Sequence, residues 1–303
     1  MNPFSEELRH LYIIRQNGIS ATTLAEKEQE ININLINIDP DIPIYRYMKW
    51  EYLKQFYNDH KWVLSNPSNW QDKYEHFIFK CDRFYNPLLD AEVGLGYIAA
   101  QYFAQCWTLT KENSMQWQVN KPHSNNSNDN NPQNDGGDIW VKIKSNPKKL
   151  LYEMFYSNNN LVSNSLNTIT YFIGKVEYLE EDFIRNYQIT DPKEIIDNTG
   201  LQQVLFLLMK RKPYESENEV RLIMQTDSEF LRNNPGTLVK RPIDDWYGLI
   251  DEIVIDPWST DAQIQEVKMF MENLAAQNNK PVIPVSKSHL NDTPRYLIPT
   301  IAF

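Results

Sequence analysis

The chain has 303 residues, 41% of them hydrophobic, 13% aromatic and 23% charged, enough to bury a real core as one large domain or two modest ones. Its formal net charge of −10 argues against non-specific phosphate-backbone binding as the main activity, and with 9 glycines a glycine-rich barrel or phosphate loop is disfavoured. Two cysteines, Cys81 and Cys106, and five histidines without ligand spacing fit a reducing compartment and leave no cysteine-rich zinc site.

Residues 5–35 read as helical, with Ser5, Glu6 and Glu7 as a capping signal and Gly18 as an interruption. Asp39-Pro40-Asp41-Ile42-Pro43 breaks the chain before a strand at Ile44–Met48, and a helix over about 49–58 and a short strand at Trp62–Leu64 follow. Asn69 to Glu75 predicts a turn entering a helix. Tyr97 to Leu109 predicts a strand or a helix-to-strand passage, and a short helix is expected around Asn113–Trp117. Residues 120–137 form an Asn-rich, low-complexity stretch expected to be a mobile insertion, because strand-like alternation resumes at Asp138–Lys144.

Further strands are expected through Thr168–Ile173 and Gly174–Tyr178, and Leu201–Met209 is apolar on nearly every side, as a helix buried under a sheet would be. A strand at Glu217–Met224, another at Leu249–Ile255, an amphipathic helix at Thr260–Gln277 and a closing strand at Pro281–Pro284 complete the pattern. Strands interrupted irregularly by helices indicate an α+β fold rather than a doubly wound parallel sheet. With no apolar run of membrane-spanning length and no basic or apolar N-terminal segment, the expectation is a soluble, cytoplasmic protein that binds no membrane.

Several chemistries lack their motifs: there is no phosphate-binding glycine loop, no Gly-x-Ser-x-Gly elbow and no His-Glu-x-x-His helix. The strongest remaining candidate is Glu217-Asn218-Glu219-Val220-Arg221. On a strand its three charged side chains share one face, with Val220 and Ile223 making the core contacts of the other. Two carboxylates held together in a cleft repel, so at least one pKa should rise, with Arg221 partly offsetting this. Such a pair can accept a sugar hydroxyl, stabilise an oxocarbenium ion or, with Asp72 and Glu75, hold a metal; the same spacing also suits a solvated, ion-paired strand face. Tyr45-Arg46-Tyr47 can bind a phosphate or carboxylate while its tyrosines stack on a base, or it is one charge on an outer strand face. Trp107 could wall a pocket and Thr108 donate a hydroxyl, though a buried Trp in a core strand has the same signature. Asp72 and Glu75, near a helix start, also suit capping.

The series Tyr45-Arg46-Tyr47, Asn66-Pro67 with Trp70-x-Asp72 and Glu75, Cys106-Trp107-Thr108, Met115-x-Trp117, Gly174-x-Val176-x-Tyr178, Lys212 with Glu217-x-Glu219-x-Arg221-Leu-Ile, and Glu252-Ile-Val-Ile-x-Pro257 resembles the bacterial domain-of-unknown-function family 2971 from about residue 40 to 290. The resemblance implies three parts: a helical extension at 1–39, a catalytic-like domain at 40–290 and a tail at 291–303. By motif order that family is similar to ADP-ribosyltransferases. The similarity implies mixed and antiparallel sheets forming a split-sandwich cleft with peripheral helices, and NAD as substrate. Arg46 would anchor NAD, with Tyr45, Tyr47, Trp107, Thr108 and Arg221 lining its site. Glu219 would hold the nicotinamide ribose and stabilise its oxocarbenium ion, and Glu217 would orient the acceptor. The pair also reads as Glu215-Ser216-Glu217, so which carboxylate acts is open. A phage-defence or toxin role, a protein or nucleic-acid acceptor and an antitoxin or other regulatory partner are further implications. A metal-dependent nuclease and a non-catalytic binding module are the alternatives.

Overall fold

The structure is a computed structural model that describes residues 31–70, 72, 74–75, 84–86, 90–93, 96–120, 138–159, 170–185, 201–226 and 228–292. In chain order these residues form β1 (Leu35–Ile36), β2 (Ile44–Lys49), α1 (Trp50–Asp59), β3 (Lys61–Ser65), β4 (Phe84–Asn86), β5 (Ala91–Val93), α2 (Gly96–Ala99), β6 (Tyr102–Thr108), α3 (Ser114–Asn120), β7 (Trp140–Ser145) and α4 (Pro147–Asn159). They continue with β8 (Thr170–Lys175), β9 (Glu177–Leu179), α5 (Glu181–Arg185), α6 (Leu201–Leu207), β10 (Met209–Arg211), β11 (Glu219–Gln225), α7 (Ser228–Asn233), β12 (Leu238–Pro242), β13 (Glu252–Ile255), α8 (Asp261–Asn278) and β14 (Val285–Lys287). The result is a mixed α+β fold with mostly antiparallel pairing, as the element pattern predicts. Two compact units divide the chain, one of residues 1–46, 55–111 and 145–249, the other of residues 47–54, 112–144 and 250–303.

In the first unit β11 lies between β6 and β8, antiparallel to both, and β8 carries β1 on its far side. The apolar run Val220, Leu222, Ile223 and Met224 suits a strand buried on both faces. Glu219, Arg221 and Ile223 point to one face, together with Thr108, Cys106 and Ala104 of β6 and Gly174 and Phe172 of β8. Ile223, two residues from Arg221 in an alternating strand, thus lies with the charges and not opposite them as expected. Helix α6 covers this face, and its Leu201, Val204, Leu205 and Phe206 share a core with Ile36, Tyr102, Phe172 and Ile223. The apolar character of Leu201–Met209 on every side is thereby explained.

Gly174 sits directly beside Arg221 in the register, where a Cβ would lie 2.5 Å from Leu208 Cδ1 and 3.0 Å from Ile36 Cβ. Gly174→Ala should therefore push Leu208 outward at a cost of about 1–3 kcal/mol, measured as a lower urea midpoint at unchanged slope. A midpoint equal to wild type would show that the Leu208 side chain yields freely.

The far edge of β6 is shared: Ala104 pairs with Ser65 of β3, and Thr108 with Tyr45 of β2. β3 in turn pairs with β12, placing Arg241 opposite Trp62. Four strand steps separate β12 from β8, about 19 Å on a flat sheet. Yet Arg241 Nε donates to Tyr171 Oη at 3.1 Å, so the sheet curves and the face opposite Glu219 is its concave side. On that side the indole N–H groups of Trp62 and Trp107 both donate to Gln105 Oε1, at 2.6 and 2.8 Å.

In the second unit β7 runs antiparallel to β13, which runs parallel to β14. Tyr47 meets Trp117 edge-on beside Trp140 and Val254, and Trp50 meets Phe270 of α8 edge-on. Helix α8 opens with a capping box, in which the Thr260 side chain accepts from Gln263 N and Gln263 Oε1 accepts from Thr260 N.

Three expected elements differ in the structure. The strand placed at Glu217–Met224 begins only at Glu219, because Pro213 starts a 3₁₀ turn over Lys212–Glu217 and Asn218 closes it at φ 45°. The strand placed at Pro281–Pro284 forms instead at Val285–Lys287, since two prolines remove the N–H groups a ladder needs. Leu35–Ile36 is a strand, not the end of a helix. Helix Pro147–Asn159 and strand Leu238–Pro242 have no counterpart in the sequence reading. The helix expected before residue 31, the Asn-rich stretch 120–137, the tail beyond residue 292 and Cys81 lie outside the described residues. Among the described residues no helix is long and apolar enough to cross a membrane.

Candidate functional site

At the end of β11 five charged side chains converge. Arg221 grips Glu219, two residues back on the same strand face, with Nε to Oε1 at 2.9 Å and Nη2 to Oε2 at 2.8 Å. Its Nη2 also reaches Glu75 Oε1 at 3.0 Å, and Nη1 donates to the Leu207 carbonyl that ends α6 at 2.5 Å. The Trp70 ring lies 4.1 Å from the guanidinium carbon. Lys210 then binds three carboxylates through one ammonium: Glu75 at 2.9 Å, Glu217 at 2.6 Å and Glu219 at 3.2 Å. Arg221 is fully buried, Glu75, Glu219 and Lys210 nearly so, while the Glu217 side chain remains 37% exposed.

The two carboxylates of the Glu-x-Glu therefore differ. Burial disfavours the charged form of Glu219, but Arg221 and Lys210 outweigh it and hold the carboxyl at about 2. Burial pushes Glu217 upward, and Lys210 offsets that only in part. One pKa of the pair rises, as expected, while Arg221 more than offsets the rise for the other. Because Glu219 is depressed in the folded state, its contribution is present above the ordinary carboxylate range and lost as pH falls toward 2; Glu217 has the opposite sign. Urea unfolding between pH 5 and pH 2 should show wild-type stability falling by roughly 3 kcal/mol more than in Glu219→Gln. Parallel curves for the two proteins would contradict this linkage.

Thr108 lies level with Glu219 across β6, but its hydroxyl donates to the Glu217 carbonyl at 2.7 Å and so fixes the turn that carries Glu217. Tyr45 completes this row on β2. Arg46 occupies the fork where β2 and β3 share the edge of β6, its Nη1 donating to the Cys106 carbonyl at 3.1 Å. Its Nε is buried without an acceptor, and burial lowers the guanidinium to about 10, still cationic at neutral pH. Cys106 is exposed at the surface and lies between Arg46 and Glu219, with its thiol hydrogen-bonded to Glu219.

Two expected site residues fall elsewhere. Trp107 is buried on the concave side, opposite Glu219, because it neighbours Thr108 in an alternating strand. Tyr47 belongs to the second unit and packs on Trp117. Asp72 binds Arg211 through two hydrogen bonds, at 2.9 and 3.2 Å, rather than joining Glu75. Trp70, Cys106 and Tyr178, whose hydroxyl accepts from Glu219 N at 2.8 Å, stand in the motif series without an assigned role, and Lys210 went unnoticed in the sequence. The only sequence signal for Lys210 is its position directly after the apolar run that ends at Met209.

No protein-family model and no curated protein matches the chain, so the expected membership of family 2971 is not shown. Among solved structures, the chain is similar to DarT from Thermus sp. 2.9 in complex with NAD+, at 11% identity and a TM-score of 0.31 over 83% of this chain and 97% of that one. DarT from the same source in complex with ADP-ribosylated single-stranded DNA gives 11% identity and a TM-score of 0.33 over 84% and 96%. At these TM-scores the likeness carries no argument about this chain.

Proposed function

We propose that the Glu219 face of the first unit is an ADP-ribosyltransferase-like cleft that cleaves NAD at the bond between nicotinamide and ribose and passes ADP-ribose to an acceptor. One observation carries this reading: the row Tyr45–Thr108–Glu219 sets the arginine-bearing strand, the hydroxyl-bearing strand and the Glu-x-Glu side by side, in the order β2-β6-β11. Arg46 has a buried N–H without an acceptor, which a pyrophosphate oxygen would satisfy. Glu219, closed in by Arg221 and Lys210, serves as a fixed anchor. Glu217, the carboxylate that reaches solvent, takes the role at the substrate.

In this chemistry the C–N bond breaks with its electron pair going to nicotinamide, whose ring nitrogen becomes neutral. Positive charge develops on the ribose and is offset by Glu217. The acceptor's lone pair forms the new bond to that carbon, and its proton passes to Glu217. With water as acceptor the product is free ADP-ribose. A phage-defence or toxin setting, a protein or nucleic-acid acceptor and an antitoxin partner follow from the motif resemblance alone, and a cytoplasmic location from the sparse cysteines.

The nuclease alternative fits poorly, because the Lys210 ammonium occupies the centre of Glu75, Glu217 and Glu219, and among the described residues no acidic, His or Cys group is arranged to hold a metal. A non-catalytic ion-pair network is favoured by one fact, that both Glu219 oxygens are already bonded. The two readings separate on nicotinamide release from NAD, followed with chelator present and with protein and single-stranded DNA as acceptors. Release that persists with chelator and weakens in Arg46→Ala supports the transferase; no release and no NAD-induced thermal shift would leave the ion-pair network.

A further inference from the structure

On the concave side of the sheet, away from Glu219, a second arginine has lost its water without gaining a carboxylate. Arg241 is only 6% exposed. Its one side-chain hydrogen bond among the described residues runs from Nε to Tyr171 Oη, and the Phe230 ring lies 5.4 Å from its guanidinium carbon. No described acidic side chain forms an ion pair with it, and Nη2 is buried without an acceptor. The Tyr171 hydroxyl is no counter-charge, since burial raises its pKa against the pull of Arg241. Removing a guanidinium from water costs several kcal/mol unless a partner charge and acceptors replace the hydration. Two other buried cations of the first unit have such partners: Arg221 has Glu219 and Glu75, and Lys210 has three carboxylates; Arg46, like Arg241, has none among the described residues.

We propose that Arg241 is the anchor of an oxyanion site at the seam of β12, β8 and α7, taking a phosphate or carboxylate group on Nη2 with Phe230 beside the guanidinium. The planar fork presents its terminal nitrogens because Nε is already committed to Tyr171. The bound anion supplies the missing charge and acceptor, so it stabilises the folded first unit. The site stands on the opposite face of β11 from the NAD cleft and is independent of that reading.

The test is thermal unfolding of the full chain with inorganic phosphate, with acetate and with chloride, all at equal ionic strength. Wild type should unfold about 3 °C or more higher at an oxyanion concentration ten times its dissociation constant than in chloride. The anion that gives the larger rise identifies the ligand as phosphate-like or carboxylate-like. Arg241→Met should lose the oxyanion effect while being no less stable than wild type in chloride, because an unpaired buried charge has been removed. Arg241→Lys, which keeps the charge but not the fork, guards against misfolding of the Met variant and should show a weaker rise. Equal midpoints in phosphate, acetate and chloride, or a rise that survives in Arg241→Met or stands undiminished in Arg241→Lys, would overturn the proposal.

Discussion

Arg221→Met should lower the stability of the protein by about 3–5 kcal/mol, the largest loss expected of any single substitution at the site. Methionine fills much the same volume and suits the apolar surroundings, so the loss is not a cavity effect. It arises because Glu219 and Glu75 each lose a charge partner inside the fold, and the Leu207 carbonyl at the end of α6 loses its donor. Lys210 alone would then face three carboxylates. The deficit should be large near pH 7 and shrink as pH falls through the carboxylate range, because protonation removes the uncompensated charge. Urea unfolding of both proteins from pH 7 to pH 3 measures this. A loss below about 1 kcal/mol at pH 7, the size typical of exposed ion pairs, would mean that water reaches the cluster and that Glu219 is not held as described.

Glu217→Gln should produce the largest functional effect with little structural one. In the proposed reaction Glu217 is the carboxylate that offsets the ribose charge, and removing one such group commonly costs about 10²–10³ in rate. Its side chain is 37% exposed and its pKa is raised, so neutralising it relieves strain on the charged form, and stability should stay within about 1 kcal/mol of wild type. Glu219→Gln behaves differently: it lowers stability and activity together, since Arg221 then sits fully buried beside a neutral amide. The contrast between a rate loss at constant stability and a joint loss separates the substrate-facing carboxylate from the anchoring one.

The fold was legible where periodicity is strong. Leu201–Met209, apolar on nearly every side, announces a buried helix, which ends at Leu207 before Met209 enters β10, and Thr260–Gln277 announces α8 through its amphipathic pattern. The Tyr45-Arg46-Tyr47 and Cys106-Trp107-Thr108 segments read as strands by alternation alone. What stayed hidden depends on neighbours distant in the chain. The sequence places Glu217 on the strand with Glu219, whereas Pro213 and an αL Asn218 turn it onto a separate shelf, and only Lys210 reunites the two. Helix Pro147–Asn159 escaped notice because Lys148, Lys149 and the two asparagines at its end blur its apolar stripe. Which face Trp107 takes depends on the register of β6 against β11, and no local pattern sets that register.

Nicotinamide release from NAD, measured for wild type and Glu217→Gln matched for stability by urea midpoint, tests the central claim most directly. Wild type should release nicotinamide measurably, and the variant should fall by about 10² or more. Equal rates in the two proteins, or no release by either across protein and single-stranded DNA acceptors, would contradict it.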